Sequence, residues 1–242
     1  MTEDATDWFH PNPQIQTLRL EHGATCFVID DVLREPERLR DWAIAQREAF
    51  KPVDFNAYPG IYLLPPNALA HAFHAFFLQH MRPHFDARRV LEMQSRLAMV
   101  TRPPEQLRPF QWLCHSDQVG VPTAYSIQAS VLYLFEDEEL GGTSFYAPSR
   151  TRQEISDLYH DASNLPATEF TRKRGIPPSY MNGSNAYFTR IGQAPARWNR
   201  MIFYDGNILH SGDIHDPRRL SSDPANGRLT FNGFFTCRRH TT

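Results

Sequence analysis

Cysteine is scarce in this 242-residue chain: Cys26, Cys114 and Cys237 are three in number and far apart. They form neither a zinc-ligand pattern nor a disulfide framework, which points to a reducing compartment. Excess charge of one sign is also missing. The formal net charge is -2, so no general electrostatic attraction to nucleic acid or to a membrane surface is expected. No apolar stretch approaches the ~20 residues that cross a bilayer. The start, Met1-Thr2-Glu3-Asp4, has neither the basic opening nor the apolar run of a signal peptide. Internal repeats, low-complexity tracts and domain linkers are lacking too. These absences lead us to expect a soluble, cytoplasmic protein with no membrane or nucleic-acid partner.

Apolar material is abundant: 41% of residues are apolar and 12% aromatic, enough for a sizeable core. A chain of this length can fold as one all-β sandwich or barrel. The first third reads as helical. Glu35-Pro36-Glu37 places Pro and acids in a first helical turn, as the helix dipole favours. A second helix starts near Asn67, where Leu69, Phe73, Phe76, Phe77 and His80 make one stripe that Pro83 ends. Residues 1–16 read as an irregular arm and residues 51–66 as loop. Strands are expected over residues 25–30, 92–101, 125–135, 143–146, 186–189, 200–204 and 228–235. A helix is expected over 149–162 and a loop over 171–184. In the 125–135 strand, Tyr125, Ile127, Ala129, Val131 and Tyr133 alternate onto one face. Helices first and short strands after make an α+β, mainly β order, with helices packed on an antiparallel sandwich or barrel. We expect one domain over 1–242, with 1–90 a helical support region and 91–242 the β core.

The chemistry centres on His115-Ser116-Asp117. Side chains at i and i+2 of an extended strand share a face, so His115 and Asp117 can reach one metal ion. His210, just past an apolar strand, is the better placed third ligand; His215 competes from a polar loop. Two His and a carboxylate with an open opposite face suit non-haem Fe(II). Arg228 begins an apolar strand, where a partly buried cation needs an anion. Its fork suits a carboxylate, and Thr230 faces the same way with a hydroxyl. Tyr133 and Tyr125 share a strand face and would point inward, where a tyrosine hydroxyl needs a partner such as a carboxylate. The Arg172-Lys173-Arg174 run reads as solvated loop or as part of a lid.

This ordered set resembles the Fe(II)- and 2-oxoglutarate-dependent oxygenases, in their prolyl-hydroxylase-like branch, over roughly residues 95–236. The resemblance implies a double-stranded β-helix, or jelly roll, with His115, Asp117 and His210 as metal ligands. Val131-Leu132-Tyr133-Leu134-Phe135 before Gly141-Gly142-Thr143 is similar to the family's tyrosine strand and Gly-Gly turn. Arg228-Leu229-Thr230 is similar to the pair that grips the far carboxylate of 2-oxoglutarate. The gap from His210 to Arg228 is longer than is common in that family, and Arg218 and Arg219 sit nearer the customary spacing. Fe(II), 2-oxoglutarate and dioxygen are the implied cofactor and cosubstrates. Hydroxylation of an amino acid, peptidyl residue or small metabolite is the implied reaction. Trp112, Arg102 and residues 171–185 are candidate walls of a substrate pocket. Two other readings stay open at this point: a non-catalytic jelly-roll binding module, and a hydrolase or isomerase using Zn or Mn on the same ligands. The sequence leaves the oligomeric state open.

Overall fold

The computed structural model describes residues 8–52 and 58–240. Part of the expected arm (1–7) and part of the expected 51–66 loop (53–57) lie outside the described residues. Eleven strands and four α-helices follow in order among the described residues. They are β1 Ile15–Arg19, β2 Thr25–Ile29, α1 Pro36–Ala45, β3 Lys51–Pro52, β4 Gly60–Leu63, α2 Asn67–Phe76, β5 Arg89–Val100 and β6 Tyr125–Tyr133. Then come β7 Thr143–Pro148, α3 Arg152–Asn164, α4 Ala167–Arg174, β8 Phe188–Ala194, β9 Met201–Asp205, β10 Leu209–Gly212 and β11 Leu229–Arg238.

The strands make two antiparallel sheets. The major sheet runs β1-β2-β9-β6-β11-β5-β4-β3 and the minor sheet β10-β7-β8. A two-residue antiparallel bridge between His115 and His210 adds the 115 segment beyond β10. From β5 onward the chain passes between the layers: β5 major, His115 minor, β6 major, β7 and β8 minor, β9 major, β10 minor, β11 major. That path is a double-stranded β-helix, as the resemblance implied.

The alternation in β6 decides which face looks in. Tyr133, Ala129 and Val131 join the core between the sheets, with Phe145, Ile202 and Tyr204. The opposite residue Leu132 joins a second core, where Leu39 and Ala43 of α1 and Leu69 and Phe73 of α2 cover the major sheet. Ring stacking is dense there: Phe77 lies on Phe235 at 3.8 Å between centroids, and Phe73 touches Phe231 and Phe235. Each such buried Leu or Phe is worth ~1.5–3 kcal/mol. Gly233 has a packing reason to lack a side chain, since a Cβ there would stand 2.2 Å from a Phe73 ring carbon.

Several sequence expectations need correction. The arm contains β1, which forms the outer edge by pairing with β2. Residues 1–90 are more than a helical support, because β1–β4 all join the major sheet. The loop expected from residue 171 begins inside α4, which ends at Gly175 in a left-handed cap (φ 70), a conformation that costs Gly nothing. Lys173 and Arg174 of the basic run pair with buried Asp161 of α3 at 2.8 and 2.5 Å, so they tie two helices together and form no free lid. All three cysteines are buried and unpaired. Burial pushes the Cys114 thiol up to about 12 and Cys237 to about 11.

Candidate metal centre

His115, Asp117 and His210 converge, with one potential ligand atom from each within 4.8 Å of the others. The Asp117 carboxylate lies between the imidazoles: Oδ1 is 3.7 Å from His115 Nε2 and Oδ2 is 3.4 Å from His210 Nε2. Adjacent ligands about 2.1 Å from one ion stand roughly 3 Å apart, so a small closure completes such a set. The two His residues are each other's backbone partners, exchanging N–H···O bonds of 2.9 Å in both directions. Asp117 N–H donates to the Gly206 carbonyl at 2.8 Å, which fixes the carboxylate beside them.

The protonation pattern suits a cation. His210 Nδ1 lies 2.9 Å from the Ile208 carbonyl. A proton there leaves the Nε2 lone pair facing Asp117. Asp117 Oδ2 is buried and makes no hydrogen bond despite its closeness to His210; such an atom is costly unless a cation or donor meets it. The His115 side chain is 58% exposed. Protein packed on the inner edge of the ring and the neighbouring His210 lower its pKa, against the pull of Asp117. A neutral imidazole is the ligating form.

The backbone under this site is braced from behind. Tyr159 of α3 donates its hydroxyl to the Cys114 carbonyl at 2.7 Å, and the Cys114 N–H points at Met181 Sδ at 3.1 Å. Ser116 Oγ donates to the Gly206 carbonyl at 3.0 Å. Tyr204 packs edge-on to the His210 ring at 4.8 Å. Of these supports, only Tyr159 carried a usable sequence signal, an aromatic on the inward face of an expected helix.

Arg228 is buried just before β11. Its Nε donates to the Leu140 and Gly141 carbonyls and its Nη2 to Gly142 at 2.8 Å, so it clasps the Gly-Gly turn. Nη1 carries no hydrogen bond among the described residues, and no carboxylate there pairs with this arginine. Burial raises the pKa of Tyr58, Tyr133, Tyr180 and Tyr204, and the Arg228 charge opposes that rise only in part. Tyr133 hydrogen-bonds Thr143 across the two sheets at 2.8 Å, and Thr230 donates to the Ala98 carbonyl at 3.2 Å. A Cβ at Gly212 would lie 3.7 Å from Arg228 Nη2. Gly212 is two residues beyond His210 on the same face of β10.

The family model for DUF6445, a family of unknown function, matches residues 11–235. The chain belongs to that family. No curated protein matches it. Among solved structures, it is similar to HygX from Streptomyces hygroscopicus with nickel and 2-oxoglutarate bound, with a TM-score of 0.47 and 13% identity over 90% of this chain and 84% of that one. It is similar to SnoN, a non-haem alpha-ketoglutarate-dependent epimerase from nogalamycin biosynthesis, with a TM-score of 0.46 and 10% identity over 89% and 81%. A third is an N-substituted L-amino acid dioxygenase from Burkholderia ambifaria AMMD, with a TM-score of 0.42 and 13% identity over 96% and 100%.

The remaining residues singled out in this DUF6445 chain fall elsewhere. His215 bonds Asp213 at 3.2 Å and stands outside the triad. Arg218 pairs with Asp216, and Arg219 with Asp137, so neither reaches inward. Tyr125 opens β6 on the same face as Tyr133, at the end of the strand nearest the metal ligands. Trp112 is in the core against Phe170 rather than in a pocket wall. The Arg102 carbonyl accepts from Tyr180. No helix among the described residues is long and apolar enough to cross a membrane.

Proposed function

We propose that this DUF6445 protein is an Fe(II)- and 2-oxoglutarate-dependent oxygenase that by default hydroxylates an unactivated C–H bond. His115, Asp117 and His210 would hold the metal. Two imidazoles and one carboxylate with an open face suit Fe(II), and the orphaned Asp117 oxygen marks where positive charge is needed. With both groups bound, Fe(II) and 2-oxoglutarate supply the oxidising power, giving succinate and carbon dioxide as dioxygen is consumed.

The observation that carries the reading is the placement of Arg228 against Gly212. Two residues along a strand span about 6.6 Å. The guanidinium therefore sits about one short dicarboxylate's length from the His210 position. Arg228, whose Nη1 bonds none of the described residues, would take the far carboxylate. Thr230 and Tyr133, whose hydroxyls already hold neighbouring groups in place, would shape that end. Tyr125 would stand at the opposite, outer end. The sheets bury this far end and keep water from the charge pair, while the exposed edge of His115 leaves an approach for substrate. The substrate is an amino acid, a peptidyl residue or a small metabolite.

Anaerobic addition of Fe(II) and 2-oxoglutarate should give a visible metal-to-ligand charge-transfer band, and air should then release succinate. The band should vanish in His210→Ala. Absence of both band and succinate in folded, metal-loaded protein would leave the binding-module reading in its place. Turnover with Zn or Mn without dioxygen would favour the hydrolase or isomerase.

A further inference from the structure

The end of β10 carries a buried charge that the metal ligands do not use. Asp213 follows Gly212 directly, and its side chain is 1% exposed. Its carboxylate reaches both other strands of the minor sheet. Oδ1 accepts from Ser144 Oγ of β7 at 2.9 Å, and Oδ2 accepts from the Gln193 amide of β8. His215 Nε2 lies 3.2 Å from Oδ2, and Arg190 Nη1 lies 4.0 Å from Oδ1. Joining strands does not call for a charge. A carboxylate is among the costliest groups to bury, and Phe145 and Ile191 tie β7 and β8 into the core with apolar side chains. What Asp213 adds is a set of directed bonds at one place.

That place is the turn that Arg228 clasps. Asp213 N–H donates to the Gly142 carbonyl at 3.1 Å, and the same carbonyl accepts from Arg228 Nη2. A Cβ at Gly141 would stand 2.0 Å from the Asp213 carbonyl oxygen, so the two backbones are in contact there. Ser144, which bonds the carboxylate, lies two residues beyond Gly142 on the strand that leaves the turn. Among the described residues, the hydrogen bonds of Arg228 all go to the Leu140, Gly141 and Gly142 carbonyls. The guanidinium is therefore placed by the turn, and the turn is held from behind by Asp213.

We infer that Asp213 is a positioning residue for the cosubstrate. Through the 140–142 turn it sets the Arg228 guanidinium where the far carboxylate of 2-oxoglutarate is to lie, without touching that ligand itself. This rests on the oxygenase reading.

The test uses the full chain, with Ni(II) affinity measured first by calorimetry. 2-Oxoglutarate and 2-oxobutyrate, which lacks the far carboxylate, are then titrated into the Ni(II)-loaded protein. A parent that takes up Ni(II) but binds no 2-oxoglutarate overturns the oxygenase reading and this inference with it. Where the parent binds, the variants judge Asp213 alone. In Asp213→Ala, 2-oxoglutarate should bind about tenfold more weakly, while Ni(II) and 2-oxobutyrate bind as in the parent. Asp213→Asn should recover most of the loss, because the Ser144 hydroxyl and the Gln193 amide can each exchange donor for acceptor. Ser144→Ala, a smaller change that keeps the fold, should weaken 2-oxoglutarate several-fold and leave 2-oxobutyrate alone. Unchanged 2-oxoglutarate affinity in Asp213→Ala and Ser144→Ala, an equal loss for 2-oxobutyrate, or an Asp213→Asn variant no better than the alanine one would each overturn the inference.

Discussion

Arg228 and Gly212 meet across the end of the minor sheet, where a Cβ on the glycine would stand 3.7 Å from the guanidinium. That is ordinary contact distance, so an added methyl fits and a longer side chain does not. Gly212→Ala should bind 2-oxoglutarate like the parent. Gly212→Leu should weaken it by about tenfold or more through displacement of the arginine, with Ni(II) affinity unchanged. Calorimetric titration of both ligands separates the outcomes; equal affinity in the Leu variant would remove Arg228 from the cosubstrate site.

Asp117 bears a buried oxygen with no hydrogen-bond donor. In metal-free protein that atom is a liability of about 1–3 kcal/mol. Asp117→Asn removes the charge, so the apoprotein should melt higher, by about 2–4 °C for each kcal/mol recovered. The same variant should show no rise in Tm with Ni(II), whereas the parent should. A variant that melts lower without metal would mean that the carboxylate is already satisfied.

Tyr159 holds the Cys114 carbonyl one residue before a metal ligand. Tyr159→Phe keeps the ring and loses that bond, a cost of about 1 kcal/mol. If the bond positions His115, the cost appears in metal affinity, as a several-fold rise in the Ni(II) Kd and an altered Co(II) absorption spectrum. A fall in Tm with an unchanged Co(II) spectrum would mark the bond as scaffolding alone.

Acid stability should depend on Asp30 and Asp161. The hydrogen bond from Arg200, helped by Arg197, lowers the Asp30 pKa. Lys173, then Arg174, does the same for Asp161. A carboxyl lowered in the folded state stabilises fully above its unfolded pKa of about 3.9 and loses that contribution as pH falls through the folded value. Stability should therefore drop below about pH 4, and the drop should be shallower in Asp30→Asn and Asp161→Asn. Chemical denaturation between pH 3 and 7 measures it; parallel curves would show that neither pair is linked to folding.

Much of the site could be read from the residues, because its motif lies where a strand's two-residue period puts His115 and Asp117 together. The third ligand was harder, since β10 is only four residues long and has no alternating pattern. Its strand exists through pairing with β7 and through the bridge to His115, contacts that are remote in sequence. Arg228 was correctly placed before an apolar strand, but its bonds to the 140–142 carbonyls involve a turn more than eighty residues away. The α4 helix is hidden in the sequence because the prolines and glycines that follow it colour the whole window as loop. The edge strand β1 is hidden because one side of it faces solvent and its apolar pattern is weak.

The reciprocal bridge between His115 and His210 sets where this chain tolerates changes in length. Inserting one residue beside either histidine would turn its imidazole to the wrong side and break its partner's register at once. Past the buried Asp213 and Ile214, the chain from Asp216 to Gly227 makes its backbone hydrogen bonds locally and is under no such constraint. Length variation among family members should therefore gather after β10, leaving the ligand pair at constant register.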